Sequence, residues 1–231
     1  MDNILSLSLS NIQFTVVYNM LSLGIASMLF TSIFLFIARD RVLPKYRMAV
    51  MVSATVTSIA AYHYFRMFDS FSHAYGNNSD VQGAMAAGLP ADLYGFAHYN
   101  VGYRYIDWFL TVPLLLVELV AVLGLAKAIQ SSLLKRLVPA AAAMIALGYP
   151  GDAKLDNVFG IMLDPSVWGL LSTIPFLYIL YVLWFELKKS LDSQSARVRS
   201  LFQTLRVLLI ATWGVYPITF ILAMKSTGLP T

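Results

Sequence analysis

The sequence contains no cysteine. Disulfide frameworks, zinc–thiolate sites and thiol nucleophiles are therefore excluded. Charge is also scarce: 12% of the 231 residues are Asp, Glu, Lys or Arg, where a soluble domain carries about a quarter. Phosphate-binding glycine loops, metal-ligand clusters and nucleophile motifs are missing too, so neither an enzyme nor a metal site is expected. What the chain has in abundance is apolar surface. Hydrophobic residues make up 58% of it, and its mean hydropathy is +0.69.

The apolar residues are gathered into long runs, and a helix needs about 20 of them to cross a bilayer core. The first run, Phe14 to Ile37, holds no charge. It is too long for a signal-peptide core and no basic residue precedes it, so it reads as a retained span. Six spans are expected, at about 13–38, 47–68, 101–126, 133–150, 166–188 and 200–224. Barrel strands would alternate polar and apolar positions, and these runs do not. The expected fold class is an all-α membrane protein, with residues 1–231 forming a single transmembrane bundle.

The connections alternate in charge. The first carries Arg39, Arg41, Lys45 and Arg47, and the third Lys127, Lys135 and Arg136. The fifth carries Lys188, Lys189, Arg197, Arg199 and Arg206. The second holds Asp69, Asp80 and Asp92 without Lys or Arg, and the fourth Asp152, Asp156 and Asp164 against Lys154. Basic connections face the cytoplasm, so the N-terminus is expected outside a cell membrane. The net charge of +4 is then a topology signal and a contact with lipid headgroups, and no nucleic-acid partner is expected.

The third span carries Arg104, Asp107, Thr111 and Glu118. Ionisable residues in a span are costly, usually face the protein interior and mark function. At 3.6 residues per turn, positions 107 and 118 fall within about 20° of each other, with about 16 Å of axial rise between them. Arg104 and Tyr105 give Asp107 polar company, whereas Glu118 lies among Leu114, Leu115, Val117, Leu119 and Val120. A carboxylate kept charged and a carboxyl kept neutral read as proton acceptor and proton donor. With the topology above, a proton path along this stripe runs outward. Interhelical polar contacts are the structural alternative.

The segment Arg-Tyr-Ile-Asp-Trp-Phe-Leu-Thr-Val-Pro-Leu-Leu-Leu-Val-Glu-Leu, 104–119, resembles the third helix of microbial rhodopsins. Its Asp–Thr–Glu triplet resembles that of the proteorhodopsin and xanthorhodopsin proton pumps. The resemblance implies Asp107 as counterion and proton acceptor, Glu118 as proton donor, and Arg104 and Thr111 on the pathway. The segment 59–66, Ile-Ala-Ala-Tyr-His-Tyr-Phe-Arg, resembles the second helix of the xanthorhodopsin group and implies that His63 partners Asp107. Trp213-Gly214-Val215-Tyr216-Pro217 resembles the retinal-pocket segment of the sixth helix. Trp108, Val112, Leu115, Met144, Gly148, Ser172, Thr173, Phe176, Trp213, Tyr216 and Pro217 match pocket positions, Leu115 at the spectral-tuning place. Gly169 matches the glycine that leaves a window for a carotenoid antenna in xanthorhodopsin-like pumps; close helix packing is its other reading.

These matches imply a light-driven outward proton pump using all-trans retinal, with a possible carotenoid and with homo-oligomers in the membrane. A photosensor and a retinal-free membrane protein are the other readings. The family also has a seventh helix that carries the Schiff-base lysine and a second counterion aspartate. Lys45, Lys127, Lys135, Lys154, Lys188, Lys189 and Lys225 all lie at span ends or in connections, so no attachment lysine is assigned in this chain. The expectation is a bundle of six helices out of seven, in a chain truncated before the retinal lysine. The alternative is a six-helix opsin that does not pump.

Overall fold

A computed structural model describes residues 10–75, 99–123, 125–155, 157–187 and 196–215. These residues form six α-helices: α1 (Asn11–Ala38), α2 (Pro44–Tyr75), α3 (Gly102–Val122), α4 (Lys127–Asp152), α5 (Pro165–Tyr181) and α6 (Ala196–Trp213). The first five, α5 taken with its extension to Glu186, are long and apolar enough to cross a membrane. The chain is thus an all-helical, multi-pass membrane protein with the six expected helices. Helix α6 is the described part of the sixth span; the rest of that span lies outside the described residues.

The chain divides into two compact units, Met1–Thr111 and Val112–Thr231, and the division falls inside α3. Pro113 lies just beyond it and withdraws one N–H from the helical ladder.

In the first unit, α1 packs against α2 through small, polar and aromatic side chains. Lipid is as apolar as leucine, so close packing and hydrogen bonds hold membrane helices together. A Cβ on Gly24 would lie 2.9 Å from the Tyr64 ring, so the absent side chain permits this approach. Buried Ser32 donates to the Ala54 carbonyl at 3.1 Å and shares a 2.5 Å hydrogen bond with Ser58. Phe14 stacks on Phe71 at 5.2 Å, and Tyr18 meets Phe68 at 4.5 Å. These contacts explain why α2 runs to Tyr75 rather than ending near residue 68. Hydropathy falls there, but buried Met67 and Phe71 continue the inward face from His63 at every fourth position.

In the second unit, α4 buries Leu133, Leu137, Ala141 and Ile145, again one residue every four. The stripe begins at Leu133, where the span was expected to start, while the helix itself opens earlier, at Lys127. Gly151 brings the end of α4 onto the start of α5: a Cβ there would sit 2.7 Å from the Pro165 carbonyl oxygen. Asp164 caps α5, accepting from the Ser166 hydroxyl at 2.5 Å and its N–H at 2.8 Å. Those bonds hold the Asp164 carboxyl below the usual carboxylate range.

Helix α5 does not end as a regular helix. Val182–Glu186 form a π-helical turn in which Leu187 N–H donates to the Val182 carbonyl, five residues back. Two arginines meet this turn. Arg136 of α4 forks onto Glu186 at 3.0 and 2.8 Å. Arg206 of α6 donates to the Trp184 carbonyl at 3.3 Å, with its guanidinium against the Trp184 and Phe202 rings.

Candidate functional site

Four polar side chains are buried among the described residues: Ser32, His63, Asp107 and Thr111. Ser32 belongs to the α1–α2 contact. The other three gather where α2 meets α3. An unpaired carboxylate in a dry interior costs several kcal/mol, so the surroundings of Asp107, only 4% exposed, carry the chemistry.

Three antiparallel rungs bring α2 and α3 together. At one end the Asn100 N–H donates to the Ser70 hydroxyl at 2.9 Å. One turn inward, Arg66 donates to the Tyr103 hydroxyl at 2.6 Å, and its guanidinium lies 4.8 Å from the same ring. One turn further, His63 Nδ1 stands 3.8 Å from Asp107 Oδ1. The steps of three and four residues on each helix keep all three rungs on facing surfaces. Arg66 and Tyr103 were not singled out from the sequence. An arginine three residues from a buried histidine on one helix was the available signal.

The His63 geometry fixes a proton. Nδ1 lies 3.0 Å from the Ile59 carbonyl, and a carbonyl only accepts, so Nδ1 carries the hydrogen. That hydrogen points into its own helix. At 3.8 Å the contact with Asp107 is too long for a hydrogen bond, although a charged imidazole at this distance would still contribute about 4 kcal/mol at an effective dielectric of about 20. Asp107 Oδ1 is buried and has no hydrogen-bond partner among the described residues. It is an acceptor left open.

The remaining residues of the stripe take defined places. The Thr111 hydroxyl donates to the Asp107 carbonyl at 2.8 Å, so it points along the helix. The Arg104 guanidinium stands 5.8 Å from the Trp108 ring, and that ring meets Tyr105 edge-on at 5.2 Å. Glu118 lies on the same helix, half-buried. Val112 is buried, while Leu115 is partly exposed.

In the second unit, the Ser172 hydroxyl of α5 donates to the Met144 carbonyl of α4 at 2.8 Å. Thr173 donates to the Gly169 carbonyl at 2.9 Å. Gly148, Gly169, Phe176 and Trp213 are half-buried. Tyr216, Pro217, Lys188, Lys189 and Lys225 lie outside the described residues. The described lysines, Lys45, Lys127, Lys135 and Lys154, are all exposed.

A profile of the bacteriorhodopsin-like protein family matches residues 15–230. The chain belongs to the bacteriorhodopsin-like family. This rhodopsin is 31% identical over 198 residues to a green-light absorbing proteorhodopsin of Gamma-proteobacterium EBAC31A08, covering 84% of this chain and 67% of that protein. It is 36% identical over 126 residues to bacteriorhodopsin of Halobacterium salinarum, covering 54% of this chain and 45% of that one. Its fold is similar to the crystal structure of xanthorhodopsin, described as a light-driven ion pump with dual chromophore. The TM-score is 0.79 at 43% identity, over 94% of this rhodopsin and 82% of that chain. A thermophilic rhodopsin matches with a TM-score of 0.77 at 42% identity, over 93% and 80% of the two chains.

Proposed function

We propose that this rhodopsin is a light-driven outward proton pump that uses retinal, with Asp107 as proton acceptor and Glu118 as proton donor. The observation that carries the reading is the buried, hydrogen-bond-poor Oδ1 of Asp107 beside His63, on a helix that also carries Glu118. A dry carboxylate with one oxygen open suits a cationic N–H group, and this is the part of retinal's attachment that the described residues fit.

When bound, retinal supplies light absorption and the isomerisation that makes a proton available. The chain does the rest. Asp107 takes the proton on Oδ1, the oxygen that the imidazole hydrogen leaves open. Once neutral, it no longer attracts a cation such as Arg104, three residues before it on α3, by charge. His63, its Nδ1 hydrogen committed to the Ile59 carbonyl, stands 3.8 Å from Oδ1 and leaves it free to accept. Glu118, in apolar company and on the inner side of the proposed topology, holds the replacement proton and returns it. Trp108, Val112, Leu115, Met144, Gly148, Ser172, Thr173, Phe176, Trp213, Tyr216 and Pro217 are the proposed walls of the chromophore pocket. The half-buried Gly169 beside exposed Leu170 is the proposed opening for a carotenoid.

The test is illumination of cells making the full-length gene product. Light-induced acidification of the medium, abolished by a protonophore, is expected. A retinal-loaded protein that produces no acidification overturns the pump reading.

A further inference from the structure

The described residues of the connection between α4 and α5, Ala153–Leu155 and Asn157–Asp164, make specific backbone hydrogen bonds. Ala153 and Leu155 N–H groups donate back to the Tyr149 and Pro150 carbonyls at 2.9 Å each. Val158 and Ile161 then exchange two backbone hydrogen bonds at 3.0 Å, closing a two-residue hairpin. Both central residues are left-handed, Phe159 at φ 53° and Gly160 at φ 85°. The Gly160 N–H donates to Asn157 Oδ1 at 2.8 Å.

Such a turn favours Asn, Asp or Gly at both centres, and a bulky aromatic residue with positive φ is an outlier. Phe159 is also 103% exposed, and Met162 76%. Among the described residues, no contact of the Phe159 ring offsets that placement. A rigid tip that holds an aromatic ring in a disfavoured backbone region, uncovered, points to a surface outside the chain.

We infer that this hairpin is a membrane-interface anchor, with Phe159, Ile161 and Met162 seated between the lipid headgroups and the first segments of the acyl chains. Two features select lipid. Both ends of the connection are pinned to helices that cross the membrane, so the tip stays close to the bilayer boundary. Beyond the Asp164 cap, α5 presents an exposed apolar stripe of its own, Leu170, Ile174, Leu177 and Tyr181 at helical spacing, so the hairpin leads into a helix whose outer face is also apolar. The connection carries Asp152, Asp156 and Asp164 against Lys154, so its hold on the bilayer comes from the apolar area buried there and not from net charge.

The 231 residues hold no cysteine, so a label introduced by substitution is placed at one position among them. Phe159→Cys, Met162→Cys and Lys154→Cys are each spin-labelled in the full-length protein in vesicles of phosphatidylcholine with phosphatidylglycerol, and accessibility to oxygen and to a water-soluble nickel complex is compared. Labels at 159 and 162 are expected to be several-fold more accessible to oxygen than to nickel, and the label at 154 the reverse. Nickel accessibility at 159 and 162 equal to that at 154 overturns the inference. Exclusion of both reagents also overturns it, because the tip would then be covered by protein, such as a second copy of the chain. The paired positions guard against one variant misfolding, and the readout needs neither retinal nor pumping.

Discussion

Replacing Glu118 by glutamine tests the two-carboxylate stripe quantitatively. Glu118 lies 11 residues beyond Asp107 in the sequence of α3, which is about 16 Å of axial rise at about 1.5 Å per residue. No proton crosses that distance in one step. With an internal donor, the reprotonation phase draws on a fixed local supply and is insensitive to bulk pH. In Glu118→Gln each proton must arrive from the inner water, so the rate becomes proportional to proton concentration. A diffusion-limited encounter constant of about 10⁹–10¹⁰ M⁻¹s⁻¹ caps it at about 10²–10³ s⁻¹ at pH 7, and at about tenfold less at pH 8. Restricted access through apolar surroundings lowers it further. The assay is flash-induced absorption change in the retinal-loaded full-length product across that pH range. A final phase in Glu118→Gln that matches the unaltered protein and stays flat with pH would refute the donor assignment.

Asp107→Asn keeps the shape of the buried acceptor and removes its charge. Light-driven acidification is expected to fall to background while the visible absorption band still forms with retinal, as read by a pH electrode and a spectrum. Gly151→Ala forces a Cβ to within 2.7 Å of the Pro165 carbonyl oxygen, so α4 and α5 must separate; a loss of about 1–3 kcal/mol is expected in mixed-micelle unfolding. Ser172→Ala removes the α4–α5 hydrogen bond to Met144 and should cost about 0.6 kcal/mol, up to about 1.7, by the same assay. The Asp164 cap has a pH signature. Its carboxyl is held below the usual range by Ser166, so its contribution is complete above the unfolded value and fades as pH falls through the folded one. Protection factors at Ser166 and Val167, taken against the intrinsic exchange rate at each pH, should fall on acidification and stay flat in Asp164→Asn.

The spans were legible because they rest on hydropathy, which one sequence displays directly. Helix ends were less so. Helix α2 outruns its apolar stretch because Phe71 packs on Phe14, a contact between residues far apart in the chain. His63 could be paired with Asp107 by resemblance, but the fate of its hydrogen could not be read, because it depends on the distance to the Ile59 carbonyl. The Arg66–Tyr103 rung was hidden for the same reason: register between two helices is set by facing side chains. The hairpin at 158–161 escaped notice because Val-Phe-Gly-Ile carries an aromatic where a turn of that type favours Asn or Gly.

The π-helical turn at Val182–Glu186 has a consequence for how α5 tolerates change in length. A π turn holds one residue more than the α turn it replaces, so everything beyond it is rotated by about 100° relative to an unbroken α-helix. Glu186 meets Arg136, and the Trp184 carbonyl meets Arg206, in that shifted phase. Deleting a single residue within 182–186 would let the helix relax to ordinary winding without any loss of helicity, yet would swing Glu186 away from its arginine. Circular dichroism would register almost nothing, while the grip of α4 and α6 on this end of α5 would be lost.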